Sequence, residues 1–305
     1  MAENSNIEWT LHTMNPWVGC SKVSAGCKNC YAETLMDKRY GRVKWGPNGT
    51  RSRTAESNWR KPLTWDRKAK EAGERHRVFC ASLADVFEDR PEITPWREDL
   101  FRLIDATPNL DWLLLTKRPE NILRMWPEEE DDDDIGPMAL SPSAYGKQLR
   151  RFANVWLGTS VEDQEAADQR IPELLKATHL CRYTFLSCEP LLGPVDLTSI
   201  PDGHPTLGNG YTYSALTGKY NWDDGDTLSP PPWLRAIGWI IVGGESGPGK
   251  RQFDPDWARS LRDQCAASGV AFFMKQMDKV ASIPDDLMIR QFPNEGPARC
   301  GAMKP

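Results

Sequence analysis

The 305-residue sequence contains no run of about 18 uncharged apolar residues, the length that spans a bilayer. Its opening, MAENSNIEWT, lacks the basic-then-apolar pattern of an export signal. Neither a membrane span nor secretion is therefore expected, and the chain is expected to work in the cytoplasm. It also lacks an internal repeat, which excludes solenoid and propeller architectures. Disulfides rarely persist in a reducing cytoplasm, so the eight cysteines are expected to be thiols or metal ligands. The net charge of −5 argues weakly against a nucleic-acid partner, because the seven acids from Glu128 to Asp134 carry −7 and leave +2 for the rest. A block of like charge repels itself, so this run is expected to be a solvated surface insertion.

What is present suits one large α/β domain over residues 1–305: 39% hydrophobic residues and 13 tryptophans can bury a sizeable core. Short apolar runs alternate with polar turns and helix-compatible stretches, the pattern of repeated βα units around a parallel sheet. Strands are expected at Val78–Leu83, Trp112–Thr116, Val155–Thr159, Tyr183–Ser187, Trp239–Val242 and Val270–Met274, with a weaker one before Cys20. Helices are expected at Trp96–Ala106, Glu162–Ala177 and Pro255–Ser268; the last has Asp254 before it, Pro255 in its first turn and Gly269 just past its end. Two insertions interrupt the order, the acidic loop at 127–147 and a Gly- and Tyr-rich stretch at 201–233 with a hairpin expected around Tyr211–Tyr220.

Each expected strand is followed by polar residues. In order these are the cysteine loop, then Ser82 and Asp85, then Thr116-Lys117-Arg118, then Thr159 to Asp163, then Cys188-Glu189-Pro190, then Gly243-Gly244-Glu245-Ser246, then Lys275-Gln276. If the strands curl into a partial or complete TIM-like (βα)6–8 barrel, all of these converge on one mouth, where such barrels build their sites.

The first of them holds Cys20, Cys27 and Cys30 in the spacing C-x6-C-x2-C. Three thiolates so spaced can bind three irons of a [4Fe-4S] cubane and leave the fourth iron open to a ligand such as the amino and carboxylate groups of S-adenosylmethionine. Other readings of the same residues remain: a zinc site, for which His12 is the nearest fourth ligand, a Cys27–Cys30 redox pair, or three unligated thiols. Cys80, Cys181, Cys265 and Cys300 are scattered and are expected to be structural.

The block Asn15-Pro16-Trp17-Val18-Gly19-Cys20, running into Gly26-Cys27-Lys28-Asn29-Cys30-Tyr31-Ala32-Glu33, resembles the opening of a phage-associated family of unknown function with a three-cysteine motif. Leu114–Pro119, Leu157–Glu162, Leu186–Leu191, Val242–Gly247 and Ile289–Pro293 extend the likeness along nearly the whole chain. That family resembles radical SAM enzymes, nearest to the spore photoproduct lyase branch, although the first cysteine gap here is three residues longer than the usual C-x3-C-x2-C.

The resemblance implies a barrel of the radical SAM type. It also implies a [4Fe-4S] cluster that reductively cleaves S-adenosylmethionine to a 5′-deoxyadenosyl radical, which abstracts hydrogen from a substrate. Ser82, Asp85, Thr116, Lys117, Ser160 and Glu162 are the candidates for holding the methionine and ribose moieties. Gly243 and Gly244 would permit close approach of backbone to the cofactor, and the Glu245 carboxylate could pair with an amine or ribose hydroxyl. Glu189, Lys275 and Gln276 would address cofactor or substrate, and Cys188 could donate a hydrogen atom to a product radical.

The resemblance, which points towards a DNA lesion-repair branch, implies a nucleic-acid substrate for base modification or repair, and the basic residues mixed with aromatics at Trp45–Arg53 and Trp59–Lys70 could track phosphates and stack bases. A peptide or protein substrate is the alternative. An external electron donor and a partner protein are the further partners expected. The competing class is a non-enzymatic, zinc-stabilised phage accessory module.

Overall fold

The fold is taken from a computed structural model, which describes residues 2–3, 5–128, 149–201, 212–221, 236–247 and 249–293. Seven strands lie parallel in the order β1 (His12–Thr13), β2 (His76–Cys80), β3 (Leu110–Thr116), β4 (Val155–Ser160), β5 (Tyr183–Cys188), β6 (Trp239–Gly243) and β7 (Ala271–Gln276). Sequential strands are spatial neighbours throughout. The short strand Ala2–Glu3 caps the β1 edge in antiparallel pairing. Helices α1 (Lys61–Ala72), α2 (Thr94–Asp105), α3 (Gln164–Lys176) and α4 (Pro255–Ser268) fall in the β1–β2, β2–β3, β4–β5 and β6–β7 connections.

The strands read as nearly continuous apolar runs because both faces are buried, as in parallel sheets generally. Val78, Cys80, Trp112, Leu114, Leu157, Leu186, Cys188, Ile240, Val242, Phe272 and Met274 face the helix layer. Their alternates Phe79, Leu113, Trp156, Phe185, Trp239, Ile241 and Phe273 form a second cluster with Trp9 on the opposite face. That second face is concave. The Trp9 ring lies 4.7 Å from Phe79 on β2 and 6.3 Å from Trp239 on β6. Four strand spacings in a flat sheet would separate those strands by about 19 Å, so one indole can touch both only if the sheet curls.

The curled sheet stops at half a barrel, since β7 does not pair with β1. Residues 289–291 pair with the free edge of β7 instead, Met274 N donating to Ile289 O and Gln291 N to Phe272 O. Arg290 bonds Glu8 at 2.8 Å, and Arg77 stacks on Phe292 at 4.1 Å. These contacts bridge the gap near the N-terminal ends of the strands.

Local chemistry explains the helix boundaries. Asp254 accepts the Asp256 N–H and Gly269 turns left-handed at φ 66°, so α4 has the predicted bounds. Asp163 caps α3 by accepting from Ala166 N at 2.9 Å. In the second insertion, Thr212 and Tyr213 pair antiparallel with Asn221 and Tyr220, giving the expected hairpin, to which Ile200–Pro201 adds a third strand. The acidic insertion lies outside the described residues apart from Pro127 and Glu128; Glu128 bridges to Leu149 at its base.

Two expectations are corrected. Trp59–Lys70 is not a base-stacking surface: Trp65 on α1 and Trp59 just before it are buried, and Arg53 lies over Trp59 at 4.0 Å. The apolar faces of these indoles cover the sheet rather than solvent. His12 is not a fourth ligand for the cysteines either. It stacks on Trp65 at 4.3 Å in the helix layer, and its Nε2 lies 3.2 Å from His76 Nδ1.

Burial, with the neighbouring His76, lowers the His12 pKa to about 4 from its ordinary 6.5. The unfolded chain therefore takes up a proton that the folded chain refuses. Stability is intact above pH 6.5 and falls as the pH drops from 6.5 towards 4, by at most about 3 kcal/mol at 1.36 kcal/mol per pKa unit. His12→Phe keeps the stacking and removes the titration. Chemical denaturation from pH 7 to 4 should show a smaller acid loss in the variant by roughly that amount.

Candidate functional site

The cysteine loop lies across the C-terminal mouth of the half-barrel, and the strand-end residues reach up to hold it. Gly19 N donates to Leu83 O, and Gly46 N donates to Cys20 O. At the mouth ends of β3 and β4 the hold is ionic. Glu162, only 1% exposed, accepts from Lys117 Nζ at 2.6 Å, Arg170 Nη1 at 2.7 Å and the Ser24 hydroxyl at 2.9 Å. Burial would raise the Glu162 pKa, but Lys117 and Arg170 hold it below the ordinary value. Gly26 packs so closely on this carboxylate that a Cβ there would stand 2.2 Å from Oε1. A side chain at this position would displace the loop or break the ion pair.

At the end of β6, Glu245 forms a matching clamp. It accepts from Asn29 Nδ2 at 2.9 Å and from Arg251 through the backbone N–H and two guanidinium nitrogens. Arg251 in turn donates to Ala25 O at 2.9 Å. Gly244 lets this strand end approach its neighbour, since a Cβ there would meet Met277 O at 1.8 Å. Gly243 packs beside Glu189 and Gln276, and the Gln276 amide donates to Gly244 O.

Cys20, Cys27 and Cys30 are free, half-buried thiols that line one cavity of ≈ 550 Å³. Two of the three sulfurs have N–H donors beside them, and Cys27 faces the Ser24 oxygen, whose proton goes to Glu162. Arg118 Nη1 stands 3.6 Å from Cys20 Sγ, the Ser24 hydroxyl 3.9 Å from Cys27 Sγ, and the backbone N–H groups of Glu33 and Ala32 face Cys30. Burial and the nearby Asp85 push the Cys20 pKa up to about 12, opposed by Arg118, and burial raises Cys30. Metal would therefore displace protons on binding. Among the described residues no group of three or more His, Cys, Asp or Glu side chains forms a single-ion site. The three cysteine ligands of a cubane differ from such a site in that each binds its own iron. The set of three soft sulfurs on one cavity, with N–H donors beside Cys20 and Cys30, is of the kind that group takes.

Below the loop the cavity lining is mixed. Ile7, Trp9, Phe79, Ala81 and Leu115 make its apolar part. The lining also includes Ser160 and Ser187, which are register partners on β4 and β5, and Glu189 and Lys275, which pair with each other. Tyr31, Trp45 and Lys279 line the opening, and the Tyr31 hydroxyl donates to Ser82 O.

The sequence candidates thus separate by role. Cys20, Cys27, Cys30, Ser82, Asp85, Thr116, Lys117, Ser160, Gly244, Glu245, Glu189 and Lys275 all line the cavity. Several of them are already engaged: Asp85 accepts from the Thr116 hydroxyl, Lys117 N and Arg118, while Glu162 and Glu245 hold the loop. Cys188 does not reach the mouth. It points away from the concave face and is fully buried in the helix-side core, where burial raises its pKa. An odd-even count along β5 would have found this, because Ser187 and Glu189 face inward and Cys188 must face outward. The same count places Ser187 on the cavity wall. Trp9 was passed over because nothing local marks it.

A model of the family described as "Protein of unknown function (DUF5131)" matches residues 4–291. No curated protein matches the chain, and neither does any solved structure.

Removing the Glu162 carboxylate should free the loop and leave Lys117 and Arg170 unpaired. Breaking a buried pair from one side costs about 3–5 kcal/mol. Glu162→Ala is expected to lose stability on that scale in denaturation and to speed alkylation of Cys27 by at least about tenfold, the equivalent of 1.4 kcal/mol. Cys188 should stay unreactive in the same assay.

Proposed function

The chain belongs to this DUF5131 family, whose description assigns no activity, and from that premise we propose that it is a radical SAM-type enzyme acting on a nucleic acid. The observation that carries the reading is the convergence of three cysteine thiols, two of them beside N–H donors, on one cavity inside the mouth of a parallel half-barrel. Cys20, Cys27 and Cys30 would hold a [4Fe-4S] cluster with one iron open for S-adenosylmethionine. When bound, this pair of cofactors supplies a carbon-centred radical able to take hydrogen from an unactivated position.

The protein's own residues position and shield that chemistry. The clamps at Glu162 and Glu245 fix the loop that carries the sulfurs. The apolar lining formed by Trp9, Phe79 and Leu115 keeps water from the reaction space, and its flat rings can stack a planar group. Ser160 and Ser187 offer two adjacent hydroxyls that can each donate and accept, with Lys275 and Glu189 beyond them. Aromatic rings and hydrogen-bonding groups lining one cavity suit a base turned out of its strand. Tyr31, Trp45 and Lys279 at the opening suit the adjoining bases and phosphates.

The direct test is anaerobic reconstitution with iron and sulfide, followed by reductant and S-adenosylmethionine. Wild-type protein is expected to carry about four irons and four sulfides per chain and to form 5′-deoxyadenosine, and Cys27→Ala to form none. Stoichiometric zinc without sulfide, or unchanged cleavage in Cys27→Ala, would remove the proposal. A second expectation separates substrate from cofactor handling. Ser187→Ala with Lys275→Met should keep the cluster and its absorption while weakening binding of single-stranded oligonucleotide by about tenfold or more, on the scale of two lost hydrogen bonds.

A further inference from the structure

The polar strand ends are mostly accounted for by the hold they keep on the cysteine loop, but Arg118 does something more specific. Its guanidinium makes a hydrogen-bond contact to a cysteine sulfur, Nη1 lying 3.6 Å from Cys20 Sγ. It is 7% exposed and has no freedom to turn away. Nη1 also donates to Asp85 Oδ2 at 2.8 Å, Nη2 donates to Ser21 O at 2.9 Å, and Glu88 Oε1 stands 3.7 Å from Nη2. Asp85 is fixed in turn by the Thr116 hydroxyl and by the backbone N–H groups of Phe87 and Lys117. Glu88 is fixed by the buried Arg51 at 2.6 Å and by the Ser21 hydroxyl. The one guanidinium thus both neutralises Asp85 and reaches the sulfur.

We propose that Arg118 is the positioning residue that sets the reduction potential of the cluster, by donating a charged N–H bond to the Cys20 sulfur. The inference rests on the reading of the three cysteines as cluster ligands. A cluster gains one negative charge when an external low-potential one-electron donor reduces it from its oxidised +2 core to the +1 core. A fixed positive N–H at a ligand sulfur stabilises the extra electron, and hydrogen bonding to cluster sulfurs together with local charge is what tunes such centres. Asp85 opposes this effect from the other side of the guanidinium. The Asp85–Arg118 pair therefore works as a counterbalance, in which the two residues should pull the potential in opposite directions.

The test uses the full chain, reconstituted anaerobically and titrated with dithionite while the reduced cluster is followed by electron paramagnetic resonance. Arg118→Gln should keep wild-type iron and sulfide but resist reduction. At a poise that half-reduces the wild type, its reduced-to-oxidised ratio should fall about tenfold, 59 mV for a one-electron couple. Arg118→Lys should fall between the two, and Asp85→Asn should shift the ratio the other way. A merely structural role would lose iron without moving the ratio of what remains, and would not give opposite signs.

An Arg118→Gln cluster that titrates with the wild type overturns the proposal. If melting shows that this variant is unfolded, Asp85→Asn decides, and an unchanged or lowered ratio there overturns it equally. A wild type that assembles no cluster defeats the functional reading itself and is seen before any variant is compared.

Discussion

A carboxylate with 1% exposure cannot remain charged without partners, and the way Glu162 obtains them organises the mouth of this protein. Its three partners come from three places: Lys117 beyond β3, Arg170 on α3 and Ser24 on the cysteine loop. One buried charge therefore ties a loop with no regular strand pairing of its own to two strand ends and a helix. Its contact with Gly26 leaves no room for a side chain between them. Glu245 repeats the device from the other side of the sheet through Asn29 and Arg251. The sulfurs are held in place by electrostatics anchored in the sheet rather than by the loop's own conformation.

The half-barrel provides what those anchors need. Its lower concave layers are filled with Trp9, Trp156, Phe185, Trp239 and Phe273, so the strands are fixed by large rings packed edge to face. The uppermost inward positions carry smaller or polar residues instead, Ala81, Ser160, Ser187 and Gly243, with Lys275 at the edge. Filling the bottom and leaving the top open produces a cavity directly beneath the cysteine loop. The open side of the barrel is covered by residues 289–292 and the segment around Trp9, so closure does not require an eighth parallel strand.

Much of the polarity at the strand ends thus serves to assemble the site rather than to touch a ligand. Asp85, Thr116, Glu162 and Glu245 are saturated by protein partners, and a cofactor would find them already occupied. Ser160 and Ser187 sit side by side on the cavity wall, and among the described residues no carboxylate or cation bonds their hydroxyls, which makes them the groups best placed to meet a bound molecule. Arg118 belongs to both sets, since it braces the loop at Ser21 and also contacts a sulfur.

The sequence by itself determined the strand order, because two-sided burial writes each parallel strand as an apolar run and sequential βα units place those runs side by side. It also determined the bounds of α4, where Asp254, Pro255 and Gly269 are local signals, and the clustering of three cysteines in eleven residues. What only the tertiary structure decided depends on facing and on distance. Cys188 and Ser187 are adjacent in sequence, yet the pleat sends one to the helix core and the other to the cavity. Trp59, Trp65 and His12 carry no mark that separates a core packing role from a surface or ligand role. Glu162 and Ser24 lie 138 residues apart. Their bond exists because the sheet curls, and curling is a property of the packed rings, which no local run of residues encodes.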